Sequence, residues 1–236
     1  RRNRRDATAS PGASTAGTGT YNLNGGSLSA TTGFLAGQGL SYGTLNQTGG
    51  SVAFAGYLYL ASQTTYTLGA STAKYLISGG SLSAGNVTMA RADNSTTARF
   101  EVVGDTAAVN VTNAWTTYNG ATMAFELSSL GAVSAINAGS ANFGAGTMID
   151  MDYGSFTPVG GFTLDLLKAN APITTLGNLN LASGDAYVPG TQAGWTLQLS
   201  ADNKTLQAVY NPIPEPATMG LLGLGLVGLV ARRKKH

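Results

Sequence analysis

The chain has 236 residues, 33 of them glycine, and only 10% are charged, which is long enough for one core but unlike an ordinary soluble enzyme. Its net charge of +2 hides an asymmetry: eight of the 13 basic residues lie in the two termini, and residues 16–212 hold nine acids against five bases, a net −4 that leaves no basic stripe for nucleic acid. With no cysteine and a single histidine at the last position, His236, the body has no disulfide framework, thiol chemistry, Ser-His-Asp triad or histidine metal site.

The chain opens on Arg1-Arg2-Asn3-Arg4-Arg5, with neither an initiator Met nor the apolar stretch of a secretory signal. The expectation is a fragment, or a chain whose true start is missing. Residues 7–19 are small and polar with nothing to bury, so residues 1–19 read as a disordered lead-in.

From Thr20 the sequence repeats. Tyr21-Asn-Leu-Asn-Gly25-Gly-Ser-Leu-Ser-Ala recurs as Leu45-Asn-Gln-Thr-Gly49-Gly-Ser-Val-Ala-Phe and as Tyr75-Leu-Ile-Ser-Gly79-Gly-Ser-Leu-Ser-Ala, then degenerates to Phe100-Glu-Val-Val-Gly104-Asp-Thr-Ala-Ala-Val. The large apolar residue four positions before each glycine recurs at spacings of 24, 30 and 25 residues. The run Ala98-Arg-Phe100-Glu-Val resembles Met123-Ala-Phe125-Glu-Leu, again 25 on. A period near 25 predicts solenoid coils over 20–159.

Short alternating segments such as Tyr57-Leu-Tyr-Leu and Asn86-Val-Thr-Met send side chains to opposite faces, and Gly-Gly pairs supply positive-φ corners. Three or so short strands fit into each coil, which predicts an all-β, right-handed parallel β-helix stacked at about 4.8 Å per coil. Leu23, Leu28, Val52, Tyr75, Ile77, Leu82, Phe100, Val102, Phe125 and Leu127 are its expected core. A β-sandwich of antiparallel hairpins is the alternative, although it needs no quasi-identical repeat.

Two arrangements of carboxylates have chemical potential. Glu101 and Glu126 lie one apparent period apart and would stack, and Asp150-Met-Asp152 puts two acids on one strand face. Adjacent like charges raise a pKa or recruit a cation such as Ca²⁺, whereas a plain solvated strand face asks for neither. No cofactor is expected. Gly223-Leu-Gly225-Leu-Val-Gly228 matches a dinucleotide-binding pattern only formally, because it lies inside an apolar tail with no room for a βαβ unit.

Residues 160–211 depart from the repeat and read as a C-terminal β cap. Trp195-Thr-Leu-Gln-Leu-Ser and Thr205-Leu-Gln-Ala-Val-Tyr210 flank Ala201-Asp202-Asn203-Lys204 as a hairpin, with Trp195 and Tyr210 packing to close the stack.

The tail, 212–236, has three parts. Ile213-Pro214-Glu215-Pro216 precedes fifteen uncharged residues, 217–231, and then Arg232-Arg233-Lys234-Lys235-His236. As a helix the apolar part spans about 22 Å at ~1.5 Å per residue, short of a ~30 Å hydrocarbon core, so a temporary transmembrane anchor is expected. Arg232, Arg233, Lys234 and Lys235 would orient it with the body outside. Pro214 and Pro216 hold Glu215 on a stiff extended peptide.

This order resembles the PEP-CTERM sorting signal of Gram-negative envelope proteins, over about a tenth of the chain. The resemblance implies an exosortase, a membrane transpeptidase-like cysteine enzyme, as partner, with Pro214, Glu215 and Pro216 as the processing signal. It further implies an inner-membrane precursor stage and delivery to the surface or the extracellular matrix of an exopolysaccharide producer. Ile213 stands where valine is most common in that signal. The repeats also resemble the passenger-like solenoids of autotransporter-associated surface proteins.

The expected function is therefore non-enzymatic: a secreted or surface-displayed structural or adhesive protein of the polysaccharide matrix and biofilm. A β-helix lyase or hydrolase acting on polysaccharide is the alternative, although such chains are usually richer in clustered Asp, Arg and Lys. An ice-binding module would need a Thr-x-Thr stripe that the repeats do not keep in phase.

Overall fold

A computed structural model describes residues 17–36, 41–62, 71–90, 96–189 and 192–213. Its strands are β1 (Thr18–Leu23), β2 (Ser27–Leu35), β3 (Tyr42–Gln47), β4 (Ser51–Leu60), β5 (Thr72–Ile77), β6 (Gly80–Met89), β7 (Thr97–Val103), β8 (Ala107–Thr117), β9 (Ala121–Glu126), β10 (Ile136–Phe143), β11 (Thr147–Asp152), β12 (Phe162–Ala169), β13 (Leu179–Leu181), β14 (Gly194–Leu199) and β15 (Thr205–Asn211). Among the described residues the only helical element is a 3₁₀ turn, Leu176–Asn178.

Odd strands stack as β1-β3-β5-β7-β9-β11-β13 and even strands as β2-β4-β6-β8-β10-β12, all in parallel. The chain therefore alternates between two sheets and climbs one rung at each return, giving a parallel β-solenoid of about five turns. Each turn has two strands rather than three. The third segment is present in another form: the long even strands bend at a bulge, as between Ala84 and Val87, which splits each into two halves without a corner. Gly85 sits in that bend, where a Cβ would lie 2.7 Å from the Ala55 carbonyl oxygen of the rung before.

Inward side chains form columns along the axis. Tyr21, Leu45, Tyr75, Phe100, Met123, Ile149 and Leu181 make one, and Leu28, Val52, Leu82, Val109, Ile136 and Leu167 another. The expected core residues are all buried except Leu28, which is partly covered at the first rung. A fully buried aliphatic or aromatic side chain contributes about 1.5–3 kcal/mol, so the gain accrues from rung upon rung. Outside, polar side chains repeat the ladder: Asn46 Nδ2 donates to Asn22 Oδ1 at 2.8 Å and Thr48 Oγ1 to Asn24 Oδ1 at 2.9 Å.

The column of Phe100 continues through Met123, not Phe125, so the apparent 25-residue period fails at this rung. Only three residues separate β8 from β9 where seven separate β6 from β7, and the preceding turn and strand recover only half of that difference. A two-residue slip keeps every side chain on its face, so Phe125 remains in the core, beside Val102.

Parallel pairing also runs beyond residue 160, through β12 and β13. Antiparallel order begins only with β15 and β14, a hairpin whose turn holds Asn203 at φ 58°. Trp195 and Tyr210 are buried there against Phe162 and Tyr153, with ring centroids 5.3–5.8 Å apart. Most of the expected lead-in, residues 1–16, lies outside the described residues, while Thr18–Leu23 is strand.

Candidate functional site

The expected processing signal, Pro214, Glu215 and Pro216, lies outside the described residues, as do the apolar run 217–231 and Arg232, Arg233, Lys234 and Lys235. Among the described residues no helix is long and apolar enough to cross a membrane. What the structure does show is where the tail departs. β15 is held on both sides by β12 and β14, and its last residue, Asn211, pairs with Gly194. Pro212 and Ile213 follow, both exposed. The segment ahead of Pro214 thus leaves the last rungs of the solenoid at the surface.

Glu101, Glu126, Asp150 and Asp152 all lie on odd strands, on the outer face of that sheet. Glu101 pairs in register with Ala124, and Glu126 with Val103, so these two glutamates do not stack. Glu101 instead accepts from Lys74 Nζ at 2.8 Å and from Arg99 Nε at 3.0 Å. Arg99 also donates through its guanidinium to Asp150 Oδ2, 51 residues away, and so ties the rungs of β7 and β11 together. Asp150 and Asp152 do share an outer face, with Met151 buried between them.

Burial pushes the Glu101 carboxyl up, but hydrogen bonds and charge from Lys74 and Arg99 outweigh it and hold its pKa below the ordinary glutamate value. Asp185 moves the other way. Burial and the nearby charges of Asp150 and Asp152 raise it, against the lowering effect of the Met151 N–H, which donates to Asp185 Oδ2 at 3.0 Å. Chemically, Glu101 and Asp150 are ion-pair partners holding rungs in place. Among the described residues no three metal-ligating side chains gather.

Two features were not singled out from the sequence. The first is an aromatic cluster on the other sheet: Phe34 and Tyr59, register partners on β2 and β4, stack at 5.0 Å, and Tyr57 stacks on Tyr59 at 5.2 Å. Its signal was Tyr57-Leu-Tyr59, where alternation buries Leu58 and turns both tyrosines outward. The second is Gln47, a polar residue in an inward column, which has no signal beyond its place in the repeat.

Compared with known proteins, residues 212–235 match the PEP-CTERM protein-sorting motif. No curated protein and no solved structure matches the chain. The motif implies an exosortase as processing partner and passage of the protein through the membrane to the cell surface or beyond. The chain is thus a parallel β-solenoid that carries a C-terminal PEP-CTERM sorting motif.

Proposed function

We propose that the protein is a non-enzymatic structural or adhesive component of the extracellular polysaccharide matrix. The observation that carries this reading is the joining of a stacked, self-repeating body to an export and processing motif. Solenoids offer long regular faces whose side chains recur at the rung spacing, a geometry suited to lining up with an extended polymer. Pro214, Glu215 and Pro216 are the recognition residues in this proposal. Residues 217–231 anchor the precursor transiently in the inner membrane, and Arg232 to Lys235 fix its orientation.

A polysaccharide-acting enzyme would need an acid and a base placed across a cleft. The contacts from Lys74 and Arg99 that hold the Glu101 pKa below its ordinary value favour the structural reading, since a carboxyl held ionised does not serve as the acid of such a pair. The test is extraction of the matrix from a producing strain. Co-sedimentation of the protein with the polysaccharide, and its release when the glycan is enzymatically degraded, supports the proposal. Protein that stays in the membrane, or in the polysaccharide-free medium, contradicts it.

A further inference from the structure

We propose that Phe34, Tyr57 and Tyr59 form a stacking platform for the sugar rings of a neutral extended polysaccharide, laid along the outer face of the even-strand sheet. This inference rests on the matrix reading and sharpens it to a site.

The three rings are nearly parallel, with interplanar angles of 13° for Phe34–Tyr59 and 4° for Tyr57–Tyr59. Tyr59 lies between the other two, and the end rings keep 51% and 43% of their surface exposed, at Phe34 and Tyr57 respectively. Single exposed aromatics are commonplace, but three joined through Tyr59 on one sheet face are a patch. Core packing does not account for them, because the inward side chains of the same strands, including Leu58 and Leu60, already fill the interior.

The surroundings select the ligand. On the following rungs the Tyr57 column continues as Asn86 and the Tyr59 column as Thr88 and Thr116; past the next bulge come Ser140 and Asn142. Among the described residues these two columns contain no charge, only aromatic, hydroxyl, amide and small side chains. Aromatic platforms for nucleic-acid bases come with a basic groove that tracks the backbone, and among the described residues none accompanies these rings. A neutral sugar has complementary chemistry: C–H groups on one face for the electron-rich ring face and hydroxyls around the rim for amide and hydroxyl partners. Rungs repeat at about 4.8 Å, close to the length of one sugar residue in an extended chain, so successive sugars would meet successive rungs.

Affinity electrophoresis of the secreted full chain tests this, with gels containing hydroxyethylcellulose, alginate or no polysaccharide. The expected result is retardation by the neutral polymer, weakened about tenfold or more in Phe34→Ala and in Tyr57→Ala and retained in Tyr57→Phe, with thermal unfolding unchanged. Equal retardation of wild type and alanine variants would overturn the platform while leaving matrix binding to another face. Retardation by alginate alone would also overturn it, as a charge-driven contact. If mobility of the variants changes in the polysaccharide-free gel, the rings serve a second copy of the chain and the platform falls. No retardation by either polymer would overturn the platform and count against the matrix reading with it.

Discussion

Tyr75 donates its phenolic proton to Gln47 Oε1 at 2.5 Å, joining two neighbouring rungs inside the core. Gln47 is fully buried and also donates through Nε2 to the Ser81 carbonyl at 3.0 Å, so its whole amide is engaged. Gln47→Leu would fill the space but leave the Tyr75 hydroxyl and the Ser81 carbonyl without these partners. The expected cost is about 1–3 kcal/mol in urea denaturation, partly recovered by adding Tyr75→Phe. Equal stability of Gln47→Leu and wild type would show that the bond is not maintained.

Alkaline pH should probe the same core. Burial raises the Tyr75 phenol above its usual value, and Tyr153 is pushed up to about 12 by burial, helped by Tyr210 and Asp185. Because the folded pKa lies above the unfolded one, the folded state retains protons that the unfolded state loses above pH ~10. Stability should be full below that pH and decline as pH rises toward the folded values. In Tyr75→Phe the decline should be shallower by up to about 1.4 kcal/mol per pH unit, measured by denaturant titration between pH 9 and 11.5.

The glycine corners separate backbone strain from stacking. Gly26 and Gly80 both have positive φ, at 79° and 77°. A Cβ on Gly26 meets open space at the first rung, whereas on Gly80 it would fall on the Gly50 carbonyl oxygen and 2.7 Å from the Gly49 carbonyl carbon. Gly26→Ala should therefore cost about 1–2 kcal/mol, the strain of a left-handed alanine, and Gly80→Ala distinctly more. Equal costs would mean the corners are not stacked. Ala36, Ala61 and Ala90, at φ 54°, 51° and 61°, carry such strain natively at the opposite corner.

Acid should loosen the outer ladder. Lys74 and Arg99 hold the Glu101 pKa below its ordinary value, so its stabilising contribution is present above about pH 4.5 and is lost as pH falls through the folded value. Glu101→Gln should flatten the acid limb of the stability curve between pH 5 and 3 and cost about 1 kcal/mol at pH 7. An unchanged acid limb would indicate that Lys74 and Arg99 do not hold the carboxylate.

The stack was legible because its strands are nearly constant while its corners vary. Tyr21, Leu45, Tyr75 and Phe100, read from the sequence at spacings of 24, 30 and 25, occupy one inward column at those offsets. The 30 arises mostly from the eleven residues between Leu60 and Thr72, against six between Leu35 and Tyr42, and the strands on either side keep their faces. Phe125 was misaligned because Phe-Glu recurs two positions away from the true register, and an even slip is invisible to hydrophobic alternation. The Arg99 bridge to Asp150 spans two rungs and depends on that register, so no local pattern announces it. In the tail the order of Pro-Glu-Pro, apolar run and basic cluster was readable because each part has its own composition, and the match over 212–235 follows it.

Everything proposed for the protein hangs on the tail as a processing signal for an exported solenoid. The test is the intact mass and location of the protein when its full-length gene is expressed with and without an exosortase. The expected product is a chain shortened near Pro214-Glu215-Pro216 and found outside the cell only when the enzyme is present. An unshortened chain held in the membrane under both conditions would contradict it.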